Sequence, residues 1–586
     1  MSRSNNMPRE KWFEIKHPGD YRELSGQYGV SPAMARLLVN RLSGSAGSAP
    51  PTAAAVRSYL YPDSSLLYSH KGLPDMDKAV DILSDMIRDK KKIRVIGDYD
   101  IDGVCSTYIL TSGLKKAGAA ADHAIPHRIT DGYGLNERLI REAADAGIDC
   151  IITCDNGISA APQAALAHEL GMKIIITDHH EVPYHLSDKR KCEDLPPADA
   201  VVDPKREASA CEYSEICGAV VAFKVLTALY EGLGMPVSAA EEYEELAAFA
   251  TIGDVMPLTG ENRAIVYHGL EKLRHTGNPG MQALIRAQGI DGERIQPYHV
   301  GFVLGPCINA TGRLATADNA FGLLGARDAS EAERLAGMLV AMNNDRKEMT
   351  ERGVAMAMKI AGEERMKEAR VLVIYLPDAH ESIAGIIAGR VREQTGKPVF
   401  VLTPGETGIK GSGRSIEEYD MHEAMTEVSE LFSKYGGHKM AGGLSLAEGV
   451  TPQMLGDRLN KICTLTEEDL AVKVHFDMQL PFSHADMTLA EDISRLEPFG
   501  VGSPRPLFAA KNVRIRNINI YGKSRNVLKC IAEDEYGTPA SAIYFGEADK
   551  LAGHAGAHGC LKILYCPEIN EYRGDRTLQL HIQNYC

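Results

Sequence analysis

Apolar and polar residues along this chain fall into blocks of two different periods. From Met76 onward, short β-branched apolar runs alternate with longer stretches whose apolar residues recur three and four positions apart. The runs KIRVIGD, DCIITCD, KIIITD and DAVVD predict buried strands. MDKAVDILSDMIRDK, NERLIREAADAG and APQAALAHELG predict the helices between them. Apolar strands separated by helices imply an α/β fold with a mostly parallel sheet. Ligands of such sheets gather at the carboxyl ends of the strands.

Further along, a Pro-free stretch from Asp328 to Met366 keeps Leu335, Met338, Leu339, Met342 and Met349 at helical spacing. It predicts one continuous helix of roughly 55 Å that joins two lobes. A second α/β unit follows, starting at RVLVIYLP and carrying the glycine-rich clusters KGSGRS and KYGGHKMAGG. From about Lys473 the texture turns to short β-like pieces with turn signals, as in a small all-β domain of barrel type. The expected division is an N-terminal segment (1–74), a first α/β domain (75–327), the connecting helix (328–366), a second α/β domain (367–465) and the β domain (470–586). Within the N-terminal segment, PAMARLLVNRL is expected to pack on the first α/β domain, and SGSAGSAPPTAAA (43–55) to be a loop.

Composition narrows the class. A chain of 586 residues needs several cores. Its 44% hydrophobic and 24% charged content is that of an ordinary globular protein. No apolar run spans a bilayer, since GAVVAFKVL is interrupted by Lys224, and the polar N-terminus lacks a signal-peptide core. The twelve cysteines form no C-x-x-C pair and read as reduced thiols, so a cytoplasmic protein without membrane association is expected. The net charge of −15 argues against nonspecific coating of nucleic acid and leaves room for a local basic face. One such face lies between Glu497 and Glu533, where Arg505, Lys511, Arg514, Arg516, Lys523, Arg525 and Lys529 interleave with Phe499, Phe508 and Tyr521. Stacking aromatics beside cations suit a single nucleic-acid strand.

The candidate chemistry sits at the strand ends. Asp98, Asp100 and Asp102 follow the first run, Asp155 the second, Asp178, His179 and His180 the third, and Asp203 the fourth. Asp254 follows in an apolar context, where an unpaired carboxylate is costly. DYDIDG resembles a calcium loop, but the twelfth position from Asp98 is Ile109 where that loop needs a bidentate Glu. Carboxylates with one or two imidazoles suit Mn²⁺ or Mg²⁺ better than a thiolate-bound ion, and the imidazole tilts the choice toward Mn²⁺.

These motifs resemble the DHH phosphoesterase superfamily: D-x-D-x-x-x-S, CDNG, TDHH and TIGDVMPL in order, then HESIAGIIAGR, GSGRS and GGHKMAGG of its DHHA1 domain. HRITDGYGL, GPCINATGRL and LEPFGVGSPRPLF resemble the branch of bacterial exonucleases specific for single strands. The resemblance runs from about Tyr61 to the end. It implies two DHH and DHHA1 lobes with a C-terminal OB-like domain. It implies two metal ions held by Asp100, Asp102, Asp155, His179 and Asp254, with Asp98 as a ligand or as a carboxylate orienting one. Asp155 would bridge the ions, His180 would contact the scissile phosphate, and Asp178 joins Asp155 and His180 in the catalytic set. Arg128, Asn309 and Arg313 match family positions near the phosphate. His380, Ser412, Arg414 and His438 match substrate-binding motifs of the second lobe, where Ala379 and Ser382 depart from the family pattern.

The implied activity is 5′→3′ hydrolysis of single-stranded DNA to 5′-mononucleotides in recombination and repair. A single-strand-binding protein and a helicase are the implied partners, and a monomer is expected. Two other readings stand beside it: a DHH phosphodiesterase for short oligoribonucleotides or cyclic dinucleotides, and a DNA-binding scaffold of the same fold without catalysis.

Overall fold

The four β-branched runs become neighbouring strands of one sheet. The structure is a computed structural model of the chain, describing residues 10–586 apart from 44–48, 64–65, 68, 188–189, 406–407 and 573. Its first sheet comprises β1 (Lys92–Ile96), β2 (Ala120–Ala124), β3 (Cys150–Thr153), β4 (Lys173–Thr177) and β5 (Ala200–Val202). All pairings are parallel, in the order β2-β1-β3-β4-β5. The chain moves outward from β1 to β2, then returns to place β3 on the other side of β1. A crevice opens at that reversal, outside the carboxyl ends of β1 and β3. Ile96 stands opposite Thr153, so the residues following both strands emerge level with each other.

Alternate residues serve opposite faces. Ile93, Val95, Ile152 and Ile175 pack under α1 (Ile101–Lys116) and α2 (Gly218–Gly232), while Ile96, Ile151, Ile174 and Ile176 fill a second core on the other face. α3 (Glu244–Gly253), α4 (Gly260–Arg274) and α5 (Gly305–Leu314) complete the domain. α6 (Ala329–Ala361) is about 50 Å long and joins the lobes: Leu335 and Leu339 belong to the first core, and Ala357 and Ala361 pack with Ile387 of the second lobe. It stops short of Met366. Glu363 adopts extended backbone, and a separate short helix, Glu364–Lys367, follows.

The second lobe is a sheet of β6 (Leu372–Tyr375), β7 (Val399–Gly405), β8 (Gly408–Arg414), β9 (Phe432–His438) and β10 (Ala441–Leu446), ordered β9-β10-β8-β7-β6. The C-terminal domain contains β11 (Phe508–Tyr521), β12 (Val527–Glu533), β13 (Pro539–Phe545), β14 (Leu561–Tyr572) and β15 (Asp575–Tyr585). Pairings run β11-β12-β13-β15-β14 and return to β11. Register shifts in β11 let this one strand bend and serve both neighbours.

Several expectations need correction. The N-terminal helices Pro32–Leu42 and Ala53–Leu60 do not join the first α/β core. Their Met34, Leu37, Leu38, Val56 and Leu60 pack with Leu489, Ile493 and Phe508 of the C-terminal domain. The strand Glu10–Glu14 likewise pairs with Val472–Phe476, so the two ends of the chain build one unit. Ala53–Leu60 also makes a helix of the end of the 43–55 segment read as loop, capped by Thr52, while 44–48 lie outside the described residues. Secondly, Phe508 is no stacking platform, being fully buried against Tyr565. Arg505, Arg516 and Arg525 are paired with Glu568, Glu533 and Asp549. Among the described residues Lys511, Arg514, Lys523 and Lys529 remain exposed without an ion pair, and the ring of Tyr521 is exposed as well.

Candidate metal centre

The acidic turn is shaped by what passes beneath it. Gly97 follows β1 and passes so close to α1 that a Cβ would stand 1.7 Å from Thr107 Oγ1. Asp98 follows, fully buried, with one carboxylate oxygen accepting from Gly134 N–H at 3.3 Å and Oδ2 without a partner. Burial, then the charge of Asp100, pushes its pKa well up. Asp100 caps α1, accepting from the N–H groups of Asp102 and Gly103 at 3.0 and 3.1 Å. Its pKa is also raised, by burial and then by Asp102. Asp102 uses both oxygens on the N-terminus of α2, accepting from Gly218 N–H at 2.6 Å and Ala219 N–H at 2.8 Å. Only glycine fits at 218, since a Cβ would lie 2.7 Å from Asp155 Cβ and 2.9 Å from Asp102 Oδ2.

Asp155 adopts left-handed backbone (φ 60°) just after β3. Tyr133 Oη donates to its carbonyl at 2.8 Å. Burial and the charges of Asp102 and Asp100 raise the Asp155 carboxyl well above the usual range. His179 points Nε2 into the same space, 3.1 Å from Asp155, 3.5 Å from Asp102 and 3.9 Å from Asp254. Burial lowers its pKa and keeps the imidazole neutral, the form that binds metal. Asp254 ends α3; burial and its acidic neighbours push it up to about 8.

Asp178 is different. Its oxygens accept from the N–H groups of Ile158, His179 and His180 and from His180 Nδ1. Burial alone would raise its pKa, but the His180 contact outweighs burial and lowers it. His180, whose side chain is 43% exposed, is brought up to about 9 because the Asp178 hydrogen bond and charge overcome desolvation. Its ring stands edge-on to Tyr133.

Three ligand groups result, each with its donor atoms within 4.8 Å of one another: Asp98, Asp100 and Asp155; Asp155, His179 and His180; Asp102, His179 and Asp254. Asp155 and His179 each belong to two groups, which links all three. The set suits a divalent cation. Several buried carboxyls hold raised proton affinity, Asp98 Oδ2 lacks any partner, and a neutral imidazole faces them. The adjoining Cys105, Cys154 and Cys217 are buried with raised pKa, so thiolate ligation is disfavoured.

Beside the cluster, Arg128 lies over the Tyr99 ring at 4.7 Å. Arg313 reaches from α5 to the second lobe, donating to Ser382 O at 2.7 Å. Burial, then Arg128, brings Arg313 down to about 10. Arg414 on β8 is also lowered, by burial, Arg392 and Arg128. None of Arg128, Arg313 and Arg414 has an ion pair among the described residues, and the charge of Arg128 bears on both Arg313 and Arg414, from two lobes. Asn309 spends its Oδ1 on Ile101 N–H at 2.8 Å, anchoring the acidic turn. His380 caps a turn and contacts Ser382 Oγ at 2.7 Å, on a cavity it shares with Ile129 and Arg352. Ser412 stands on β8, two residues before Arg414. His438 lines a separate cavity of about 1290 Å³ between the lobes, with Glu181, Lys205 and Asp420.

Sequence reading passed over Tyr133, although HRITDGYGL contains it, and gave no role to Asp203. Asp203 is fully buried, with Oδ2 unpartnered, and burial and Asp178 push it up to about 7.

A linked carboxylate and imidazole cluster at the switch point of a parallel sheet, faced by a second lobe, defines a DHH/DHHA1 phosphoesterase. Family models agree: the DHH family N-terminal domain matches residues 92–252, the DHHA1 domain 368–468 and the RecJ OB domain 476–584. The chain belongs to the RecJ family. It is 32% identical over 578 residues to the single-stranded-DNA-specific exonuclease RecJ of Bacillus subtilis (strain 168), covering 98% of this chain and 70% of that protein. The crystal structure of RecJ from Thermus thermophilus in complex with Mn²⁺ matches with a TM-score of 0.78 at 28% identity, covering 99% of this chain and 80% of that one. The Mg²⁺ complex matches with a TM-score of 0.74 at 26% identity, covering 98% and 78%.

Proposed function

We propose that this protein is a metal-dependent exonuclease that degrades single-stranded DNA 5′→3′ to 5′-mononucleotides in recombination and repair. The observation that carries the reading is the linked set of ligand groups around Asp155 and His179, placed beside unpaired arginines from both lobes. Asp98, Asp100, Asp102, Asp155, His179 and Asp254 would hold Mn²⁺ or Mg²⁺. When bound, two such ions lower the pKa of a water molecule and offset charge on phosphate oxygens. Arg128, Arg313 and Arg414 hold the phosphate, and their guanidinium planes suit bidentate contacts. Asp178 orients His180 and keeps it charged, so that His180 holds a proton for the leaving oxygen. Lys511, Arg514, Lys523 and Lys529, with Tyr521, offer the strand a path on the OB domain.

A single-strand-binding protein and a helicase, which expose and present single strands, suit such an enzyme as partners. The reading takes it as a cytoplasmic monomer; no helix among the described residues is long and apolar enough to cross a membrane. The test is a strand labelled at one end, supplied with Mn²⁺, Mg²⁺ or chelator. Mononucleotides released first from the 5′ end, only with metal, are expected. Release from the 3′ end, or equal cutting of duplex, would contradict the proposal.

A further inference from the structure

One arginine outside the metal centre is buried more deeply than those described above. Arg263, in the first turn of α4, is 2% exposed. Among the described residues it has no carboxylate partner; its charge is spread over main-chain oxygens. Nε donates to Tyr59 O at 2.8 Å, and Nη2 to Leu496 O and Glu497 O at 2.9 and 2.8 Å. Nη1 donates to Pro498 O at 3.2 Å and Ser503 Oγ at 3.4 Å. The guanidinium also lies over the Tyr59 ring at 3.8 Å, and Tyr59 Oη meets Ser503 Oγ at 2.7 Å. Three distant parts of the chain therefore converge on one side chain: the N-terminal helix, the catalytic domain and the loop entering the OB domain. This loop is the LEPFGVGS motif, to which the proposed chemistry assigns no part.

The same loop touches the metal centre's own chain. Leu258 N–H donates to Val501 O at 2.7 Å, four residues after Asp254. Gly500 and Gly502 lie flat on that segment. A Cβ at 500 would come within 2.6 Å of Leu258 Cδ1, and one at 502 within 3.1 Å of Thr259 Cγ2. α4 starts directly after Thr259, so Arg263 grips the loop one turn beyond the point where Leu258 meets it.

We propose that Arg263 is a positioning residue: it clamps the loop Leu496–Ser503 onto the segment Asp254–Thr259, so that the seating of the OB domain sets where Asp254 stands in the metal centre. The geometry requires a planar fork with donors on several edges, which lysine lacks. The inference rests on the metal-centre reading above.

The test uses the full-length chain, unmodified and as Arg263→Met, Arg263→Lys and Gly500→Ala, the last wedging the loop off Leu258 without touching Arg263. Mn²⁺ binding is measured by calorimetry, and loop exposure by the rate of tryptic cleavage after Arg495, directly before Leu496. Weaker Mn²⁺ binding by about tenfold, with faster cleavage, is expected for Arg263→Met and Gly500→Ala, and lysine is expected not to restore either. Unchanged Mn²⁺ binding in a folded Gly500→Ala protein would overturn the proposal even if Arg263→Met fails to fold. An unmodified protein that binds no Mn²⁺ would overturn the metal-centre reading itself, and the cleavage rates would then report the clamp alone.

Discussion

Asp178 Oδ1 lies 2.7 Å from His180 Nδ1 and also accepts the main-chain N–H groups of His179 and His180. One carboxylate thus fixes both histidines of the TDHH motif without joining any of the three ligand groups. Asp178→Asn should therefore lower kcat by about 10²-fold or more, leaving Mn²⁺ affinity within a few-fold of the unmodified protein. Single-turnover hydrolysis and metal titration on the same preparation would separate the two effects. An equal loss of metal binding would make Asp178 a ligand.

The buried acids repel one another when no cation is present. Asp155→Asn removes an ionisable group that burial and its acidic neighbours disfavour as a carboxylate, and it tolerates the left-handed backbone at this position. In chelator the variant should melt higher than the unmodified protein, by roughly 2–4 °C, and should show no further rise on adding Mn²⁺. Thermal melts with and without metal check both halves of the expectation.

Gly218→Ala should inactivate without replacing any ionisable residue. Its Cβ would press on Asp155 Cβ and Asp102 Oδ2 at 2.7 and 2.9 Å. Destabilisation of about 1–3 kcal/mol is expected, read from denaturant unfolding. Wild-type activity in the variant would show that α2 can slide away from the acidic turn.

Cations on the OB domain differ in their availability. Arg514 and Lys529 are exposed and without ion pairs among the described residues, whereas Arg525 donates twice to Asp549, at 2.7 and 2.8 Å. In plots of log K against log salt for a long single strand, Arg514→Ala and Lys529→Ala should each reduce the slope by about 0.7. Arg525→Ala should change it less. Slopes unchanged from the unmodified protein for Arg514→Ala and Lys529→Ala would remove the OB face from the strand's path.

Glu245 is buried in α3 and accepts from Thr276 Oγ1 at 2.7 Å. Burial raises its pKa from 4.5 to about 7. The folded state therefore holds a proton that the unfolded state releases above 4.5, so stability falls as pH rises from 4.5 to about 7. Glu245→Gln keeps an oxygen for Thr276 and should stabilise the protein by about 1–3 kcal/mol at pH 8, with no gain near pH 4. Denaturant midpoints at the two pH values are the measurement.

The strands around the centre are legible in the sequence because a parallel sheet buries both faces and writes itself as β-branched runs. That Asp98 and Asp155 are neighbours is not, since it depends on β1 and β3 pairing across the reversal of strand order. The acids of the centre stand out as charges where the pattern calls for apolar residues. Asn309 reads as a phosphate contact in sequence, and its Oδ1 accepts from Ile101 N–H, a second duty of the amide that sequence does not announce, while Nδ2 is the end that can donate to an anion. Phe508 and Tyr521 open and close the same strand an odd number of positions apart, so they point to opposite faces; the alternation separates the faces and does not say which of them is covered. Sequence places the N-terminal helices on the wrong domain for a related reason. An apolar stripe states that it must be covered and does not state by what.

That last arrangement has a consequence for how the molecule is made. Leu38 and its cover at Leu489 are separated by about 450 residues. At ribosomal speeds the helix Pro32–Leu42 must wait roughly 20–90 s before its partner has been synthesised. During that wait the two α/β lobes have all their own strands and can close, while the helix Pro32–Leu42 still shows Met34, Leu37 and Leu38 to water. The final docking is then a late event that draws the beginning of the chain onto its end. A chain cut short before the β domain would expose this stripe for its whole lifetime, and aggregation or degradation would follow from the head of the protein.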